Sequence, residues 1–342
     1  MTISAEISPD AIAPTARYPR APHTETVRRL SAVRPLRSVG LILEVWAPLV
    51  LAMTLVCWMP YWWVMIPAGL VVGSRQVAMG VLVHEAVHYS LFRTKWLNDL
   101  VSDLFLAFPI GMSTGLYRKT HLAHHRHTNT DEDPDLAAQK TEREWFEWPK
   151  SRAAFYWTLV RSLTGLNFYR GIVMFKQWSP ALHLWGPVTP AFPLHTRIIY
   201  VLNIAAVYAL FGWWFSTAPW QAAAVVAVYL LPGLTVVNLS MRIRATAEHI
   251  GVDNAEEIRA TRTVLPRWWE RLFISPVGVN YHLEHHLFPS VPGPRLAELH
   301  RELMDDEHYR STAHVTKGYD GVMRELMTDR APGSATVGGS GG

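Results

Sequence analysis

The stretch Val83–Phe92 contains the first side chains in this sequence that suggest chemistry. His84 and His88 are four residues apart, so they share one face of a helix, and Glu85 lies beside the first of them. This H-E-x-x-H spacing is typical of zinc proteases, in which both imidazoles bind the metal and the glutamate acts as general base. The rest of the chain decides whether the site is complete.

Three further histidine groups follow along the chain. Two of them share the spacing H-x-x-H-H, which puts one imidazole about a helical turn from an adjacent pair, and the third is a single histidine in ATAEH. The one cysteine, Cys57, lies in an apolar run, so any metal must be bound by nitrogen and oxygen ligands. The histidines of these three groups are His121, His124, His125, His249, His282, His285 and His286.

These histidines are too many for one zinc ion, because zinc sites close at about four ligands. Each H-x-x-H-H group either converges on one metal or divides its rings between two, and the spacing leaves both arrangements open. His127 is either a surface residue or a partner of the adjacent group. For the other histidines a structural role is the simplest interpretation; they are His23, His183, His195, His300, His308 and His314.

The composition is that of a membrane protein. Hydrophobic residues make up 49% of the chain and charged residues 18%, the latter below the roughly 25% of soluble domains. The net charge of +4 is modest, and the basic residues lie beside apolar runs. That pattern orients membrane spans and does not form a stripe for binding nucleic acid.

Four apolar runs are long enough to cross a bilayer, which needs about 20 residues. They form two predicted hairpins that turn at Met59-Pro60 and at Ser216–Pro219. Arginines flank the hairpins and are absent from both turns, which predicts that all outer ends are cytoplasmic. The predicted spans are residues 39–58, 60–80, 198–215 and 220–241.

Helix length then predicts where the histidines lie. At about 1.5 Å per residue, His84 is about 36 Å along a helix from Pro60, just beyond a hydrocarbon core of about 30 Å. His249 is about 43 Å along a continuous helix from Trp220, with a kink expected at Pro232. Both counts place histidines at the cytoplasmic ends of the spans.

The segments outside the spans form a predicted cap and two tails. Residues 81–197 and 242–332 make the cytoplasmic cap, in which Leu104–Gly115 is apolar but too short to span. Residues 1–38 lack an apolar core, so we expect a cytoplasmic tail and not a cleaved signal peptide. Residues 333–342 are glycine-rich and resemble a flexible linker.

The three boxes HEAVH, HLAHH and NYHLEHHLFP resemble those of the membrane-bound fatty acid desaturase superfamily, which also contains hydroxylases and carotenoid ketolases. The resemblance extends over residues 39–299, with the boxes in the family's order. It implies an all-α integral membrane protein with four transmembrane helices in two hairpins and a cytoplasmic helical cap that holds a histidine-ligated di-iron site. By motif the ligands are His84, His88, His121, His124, His125, His282, His285 and His286, with His249 matching an extra ligand after the last span.

The resemblance also implies an activity. We expect an O2-dependent oxidoreductase with two Fe ions that desaturates a fatty acyl chain in the membrane. Electrons would come from a separate ferredoxin or cytochrome-type donor, because the chain has neither rubredoxin-like cysteine pairs nor a His-Pro-Gly-Gly haem motif. The third box begins with His282, where front-end desaturases have glutamine, which favours the acyl-lipid and carotenoid-modifying groups.

Three alternatives remain. Within the family, the enzyme would hydroxylate or ketolate a carotenoid or another lipid. An intramembrane zinc protease built on HEAVH leaves the other boxes unexplained. A histidine-rich metal transporter would need ligands at mid-membrane, and the predicted spans contain no box histidine.

Polar residues near the boxes have weaker claims to a role in the site. Glu85 and Glu284 either orient a ligand imidazole or are exposed helix carboxylates. Asn280 either caps a turn or bonds near the metals. Asp133 begins an Asp-Pro-Asp sequence that predicts a turn. It belongs, with Asn129, to a stretch common in the family.

Overall fold

The fold is almost entirely helical, as the sequence predicts. The computed structural model describes residues 16–141, 143–148 and 150–327, with the side chains of 170–174 outside this description. It is 72% helical. The predicted linker at 333–342 lies outside the described residues.

The α-helices follow one another along the described chain with short connections. In order they are α1 Thr24–Leu30, α2 Pro35–Trp58, α3 Trp62–Val87, α4 Lys95–Ser102, α5 Thr114–His127, α6 Pro134–Lys140, α7 Arg143–Phe146, α8 Arg152–Leu163, α9 Phe168–Trp178, α10 Pro180–His183, α11 Leu194–Thr217, α12 Pro219–Leu234, α13 Val236–His249, α14 Trp268–Phe273, α15 His282–Leu287, α16 Gly293–Leu303, α17 Glu307–Thr312 and α18 Tyr319–Leu326. A parallel pair of strands, β1 Thr263–Leu265 and β2 Val315–Lys317, lies among the later helices.

Four helical segments are long and apolar enough to cross a membrane: α2, α3, α11 and the run α12–α13. Three of them contain a predicted span and extend beyond it, whereas α3 begins two residues after the predicted start at residue 60 and extends past the predicted end. Helix α2 starts earlier because Pro35 occupies its first turn, where a missing N–H costs nothing. Helix α3 continues to Val87, so His84 and Glu85 lie in its last turn.

Helices α2, α3 and α12 share the largest apolar core. A Cβ at Gly73 of α3 would lie 3.1 Å from the Cβ of Pro232, so glycine permits the close approach of α3 and α12. Helix α11 lies outside this core and exposes most of its apolar side chains, such as Leu202 and Trp213. Such a surface suits contact with lipid.

The fourth span is not one continuous helix, which corrects the straight count from Trp220 to His249. Helix α12 ends at Leu234, and Thr235 has φ −119° and ψ −90° before α13 begins. Pro232 lies in the last turn of α12 and cannot donate to the helix ladder, which explains the expected kink. His249 is still the last residue of α13.

The short apolar segment after the first box folds back on itself. Residues Lys95–Ile110 meet α5 at 90°, and Gly111 makes the turn with φ +76°. Leu106 and Ala107 are fully buried in the core of the long helices. The segment is therefore partly buried, and α5, which follows it and carries the second box, packs against α3.

From Ala16 onwards, the described residues of the predicted N-terminal tail pack against the rest of the protein. Tyr18 and Leu30 are buried in an apolar cluster with residues of α15 and α16. The Tyr18 hydroxyl donates to Asp306 Oδ2 over 2.8 Å. The described part of residues 1–38 therefore packs with the C-terminal helices.

Candidate metal centre

Nine histidines from four parts of the chain meet in the interior, and their ring nitrogens form two groups. Within each group the nitrogens that face one another lie within 4.8 Å. The five-histidine group consists of His84, His88, His121, His125 and His285; the four-histidine group consists of His124, His249, His282 and His286.

Each H-x-x-H-H box divides its rings between the two groups. Residues i and i+4 of a helix share a face, whereas i+3 is rotated away from i+4. In α5, His121 and His125 therefore join one group and His124 the other. In α15, the pair His282 and His286 joins the four-histidine group and His285 the five-histidine group. The spacing left open whether each box binds one metal or divides its rings between two. In the structure each box divides its rings between the two groups.

The short distances between ring nitrogens fit bound metal ions. The Nε2 of His121 lies 3.0 Å from the Nε2 of His88 and 3.0 Å from the Nε2 of His125. The Nε2 of His282 likewise has two such neighbours, at 2.9 and 3.0 Å. A ring nitrogen carries one hydrogen or one lone pair, so it cannot make two such hydrogen bonds. Lone pairs that share a cation account for the contacts.

Burial keeps three imidazoles of the third box in the neutral form that binds metal. Burial, reinforced by neighbouring imidazoles, lowers the pKa of His282, His285 and His286 well below the usual 6.5. They are therefore neutral near pH 7, as ligation requires. Both ring nitrogens of His84 are buried without a hydrogen-bond partner. The residues of both groups fit a metal ion.

Three rings of the four-histidine group have polar partners, and the partner of His124 is a carboxylate. The Nδ1 of His124 lies 2.9 and 3.0 Å from the two carboxylate oxygens of Asp133. Burial raises the pKa of Asp133, but the hydrogen bond and charge of His124, the N–H of Asn129 and the nearby His249 together outweigh burial and lower this pKa below its usual 3.8. The sequence predicted only a turn here. Asp133 caps α6 and also orients His124. The only sequence signal for this second role was the acidic stretch after the second box.

Arg118 is a second residue that sequence reasoning missed. Its guanidinium donates to the carbonyl oxygens of Ala86 and Val87 at the end of α3 and pairs with Asp99 of α4. Because Arg118 itself belongs to α5, it joins three helices beside the first two boxes. An arginine three residues before the second box was its only sequence signal.

Glu85 does not hydrogen-bond to an imidazole. Its Oε2 accepts from the N–H of Gly293 at 2.8 Å, and its Oε1 is 3.6 Å from His84 Nδ1, too far for a hydrogen bond. It is also buried, so neither predicted role is correct. The carboxylate instead joins the first box to the start of α16.

Glu284 is also buried and bonds to no box histidine, which corrects both predicted roles. Its carboxylate accepts from Thr263, His300 and Tyr309, the last over 2.6 Å. Glu284 lies two residues after His282 and one before His285, so the helix turns its side chain away from both histidine groups and towards α16 and α17. His300, expected to be structural, is thus a buried partner of this carboxylate.

Asn280 and His127 also lie apart from both groups. The side-chain amide of Asn280 donates to the carbonyl oxygen of Val264 over 2.9 Å, so it fixes β1 and neither caps a turn nor approaches a box ring. His127 pairs through Nδ1 with the exposed Glu132 at 2.8 Å. Of the two interpretations of His127, this contact fits the surface residue.

Comparison with known proteins identifies the family. The fatty acid desaturase family model matches residues 60–317, more than half of the chain. The Delta(5) fatty acid desaturase fat-4 of Caenorhabditis elegans is 25% identical over 66% of this chain and 54% of its own length. The sn-1 oleoyl-lipid 12-desaturase of a Synechocystis strain is 26% identical over 68% of this chain and 66% of its own length.

A third relative aligns over more of its own length. The dihydrorhizobitoxine desaturase of Bradyrhizobium elkanii is 25% identical over 84% of this chain and 82% of its own length. By contrast, this chain spans about half the length of the Caenorhabditis relative. With the family match, the four apolar helices and the paired histidine groups, these likenesses make the chain a member of the fatty acid desaturase family, whose named relatives are oxidoreductases.

Proposed function

We propose that the chain is a membrane-bound di-iron oxidoreductase that uses O2 and electrons from a separate donor to desaturate a fatty acyl chain. One observation carries the proposal: nine histidines divide into two groups, each able to hold one ion, beside four apolar helices. Those nine histidines would be the metal ligands.

The geometry of the groups favours iron over zinc. Bonds of about 2.1 Å at right angles put neighbouring ring nitrogens about 3.0 Å apart, whereas tetrahedral angles put them about 3.4 Å apart. Adjacent Nε2 pairs in both groups, such as His88–His121 and His249–His282, are 2.9–3.0 Å apart. The five ligands of one group also exceed the four of a structural zinc site. Imidazole ligands without thiolates suit ferrous iron.

When bound, the two irons would supply reduction of O2 to an oxidant able to remove hydrogen from an unactivated C–H bond. The protein's own residues bind the metals, exclude water and position the substrate. The ring of Tyr117 packs 5.2 Å from that of His121 and 4.8 Å from that of Trp178, so aromatic side chains cover one side of the five-histidine group. We infer that the acyl chain enters between the cap and the long helices.

We infer that both termini and the metal groups face the cytoplasm. Arg34 precedes α2, Arg37 lies in its first turn, and the connection between α2 and α3 contains no basic residue. The excess of basic residues marks the cytoplasmic side. A ferredoxin or cytochrome-type donor would then dock on the same side as the metals.

The deciding experiment expresses the wild type and His285→Ala, with candidate electron donors, in a host grown in air or in ¹⁸O2. Lipids and pigments are then compared by mass spectrometry. Desaturation removes two hydrogens from the substrate and reduces O2 to two waters with two donor electrons, so the expected product is two mass units lighter and unlabelled. His195→Ala, an exposed histidine outside both groups, is the control. Absence of any O2-dependent product from the wild type would contradict the proposal.

Two other substrate outcomes are distinguishable in the same experiment. An ¹⁸O-labelled alcohol or ketone would favour the alternative, hydroxylation or ketolation of a carotenoid or other lipid. The relative named for dihydrorhizobitoxine aligns over 82% of its length, so the polar extract is analysed as well. A desaturated polar product there would replace the acyl chain as substrate.

A further inference from the structure

We propose that the segment Thr128–Asp133, here called the orienting loop, positions the four-histidine group alone, so that the two metals are held independently and unequally. The inference rests on the proposed function, because it takes the two groups to be metal sites. It assigns to Thr128, Asn129 and Asp133 a positioning role for three histidines from three different helices.

Each contact of the orienting loop is made to Nδ1, the ring nitrogen that faces away from the centre of the group. Asp133 binds the Nδ1 of His124, and the Oδ1 of Asn129 lies 3.2 Å from the Nδ1 of His249. The Thr128 hydroxyl lies 3.3 Å from the Nδ1 of the third ring, that of His286. An oxygen acceptor at Nδ1 fixes the hydrogen on that nitrogen. The lone pair of Nε2 then faces the centre of the group.

The loop's own hydrogen bonds fix these acceptors in place. The side-chain nitrogen Nδ2 of Asn129 donates to the carbonyl oxygen of Ala260 over 2.6 Å. This bond directs the Oδ1 of the same side chain to His249. The Thr128 hydroxyl donates to His124 O over 2.9 Å, so it can only accept from His286. Asp133 accepts from the backbone N–H of Asn129 over 2.9 Å, which closes the turn where Asn129 has φ +59°.

The five-histidine group has no equivalent support in the described part of the chain. Both ring nitrogens of His84 and the Nδ1 of His121 lack a hydrogen-bond partner. The nearby carboxylate of Glu85 is directed to Gly293 and stays 3.6 Å from His84. Its rings are therefore held by packing, whereas three of the four rings of the other group are held by a charged carboxylate, an amide and a hydroxyl. In that group only the Nδ1 of His282 is buried without a partner among the described residues.

This difference predicts unequal loss of metal when the loop is changed. Removing a partner that orients a ligand histidine weakens metal binding about 10- to 100-fold. Asp133→Asn keeps a side chain that caps α6, because asparagine is as good a helix cap as aspartate, but removes the charge behind His124. Only the ion in the four-histidine group should then be released faster.

The test loads wild type, Asp133→Asn and Thr128→Val with ferrous iron in detergent and follows iron release to a coloured chelator. We expect Asp133→Asn to release one of two ions about 10- to 100-fold faster than wild type and the second ion at the wild-type rate. Thr128→Val leaves the cap of α6 intact and should accelerate the same ion less. Glu132→Gln is the matched control, because Glu132 lies in the same loop but pairs only with the exposed His127.

Reference variants show which ion is lost. His249→Ala and His88→Ala each remove one ligand from one group, so the ⁵⁷Fe Mössbauer spectrum of depleted Asp133→Asn should match that of His249→Ala. Equal acceleration of both ions, unchanged release, or a match to His88→Ala would overturn the inference. A wild type that binds fewer than two irons would instead overturn the proposed function.

Discussion

The guanidinium of Arg118 donates to the carbonyl oxygen of Ala86 over 2.9 Å, between the two histidines of the first box. Its Nε donates to the carbonyl of Val87 over 3.0 Å. Carbonyls in the last turn of a helix lack partners further along the helix. Arg118 supplies a donor to the carbonyl of Val87, and at Ala86 it joins the side-chain amide of Asn98 and the N–H of Tyr89. The same side chain links the first and second boxes.

Replacing Arg118 by glutamine should therefore destabilise the centre. Loss of the charged donors is expected to cost about 2–3 kcal/mol of unfolding free energy and to lower the iron retained. Melting temperature and iron content in detergent measure the two effects. Arg126→Gln is the control, because Arg126 is an exposed residue of the same helix that bonds only to Leu122. Similar losses in both variants would contradict the role of Arg118.

Tyr309→Phe should lower stability without loss of metal. The Tyr309 hydroxyl donates to the fully buried carboxylate of Glu284, which hydrogen-bonds to no box ring. Thr263 and His300 remain as donors in the variant, so the expected cost is that of one hydrogen bond to a charged group, about 1.5–3 kcal/mol. The melting temperature should fall while the iron content stays at the wild-type value. Tyr208→Phe, at an exposed tyrosine, should change neither. Iron loss from folded Tyr309→Phe would show that Glu284 does support the centre.

Gly278→Ala should prevent correct placement of the third box. A Cβ at Gly278 would lie 2.3 Å from the carbonyl oxygen of Gly293, and its φ of +84° disfavours any other residue. The backbone strain alone costs about 1–3 kcal/mol, and the clash adds to it. We expect a low yield of folded protein and little bound iron. Gly212→Ala, with nothing within 4 Å of the new Cβ, should behave as wild type.

Removal of metal should lower the melting temperature, because metal binds the folded centre and not the unfolded chain. A strong chelator is expected to shift the thermal transition down by several degrees, and ferrous iron should restore it. His249→Ala, with one group incomplete, should show a smaller shift than wild type. Identical melting with and without iron would argue that neither group holds a metal.

Local sequence determined the helices and the faces that carry the boxes. Long apolar runs are sufficient to predict spans, and they were found where expected, each extended by several residues. The fold class and the family are confirmed. The iron ligands, the cytoplasmic sidedness and the electron donor stay predictions.

Corrections to the sequence predictions concern contacts between distant elements. Glu85 and Glu284 were correctly placed beside histidines in the sequence, yet a helix turns neighbouring side chains by about 100°, so they face other partners. Asp133 was predicted only as a turn residue, and Arg118 was assigned no role. Their roles depend on His124 and Ala86, which only folding brings near them.

The sequence by itself determined the apolar helices, and helix rise placed His84, His88 and His249 near the same ends of them. The resemblance of the boxes added the other six histidines to the predicted site. Only the tertiary structure decided that the nine histidines form one group of five and one of four, and that a single loop supports the smaller group. The physical reason is that ring orientation depends on how the ends of α3, α5, α13 and α15 pack. No spacing within one helix records that packing.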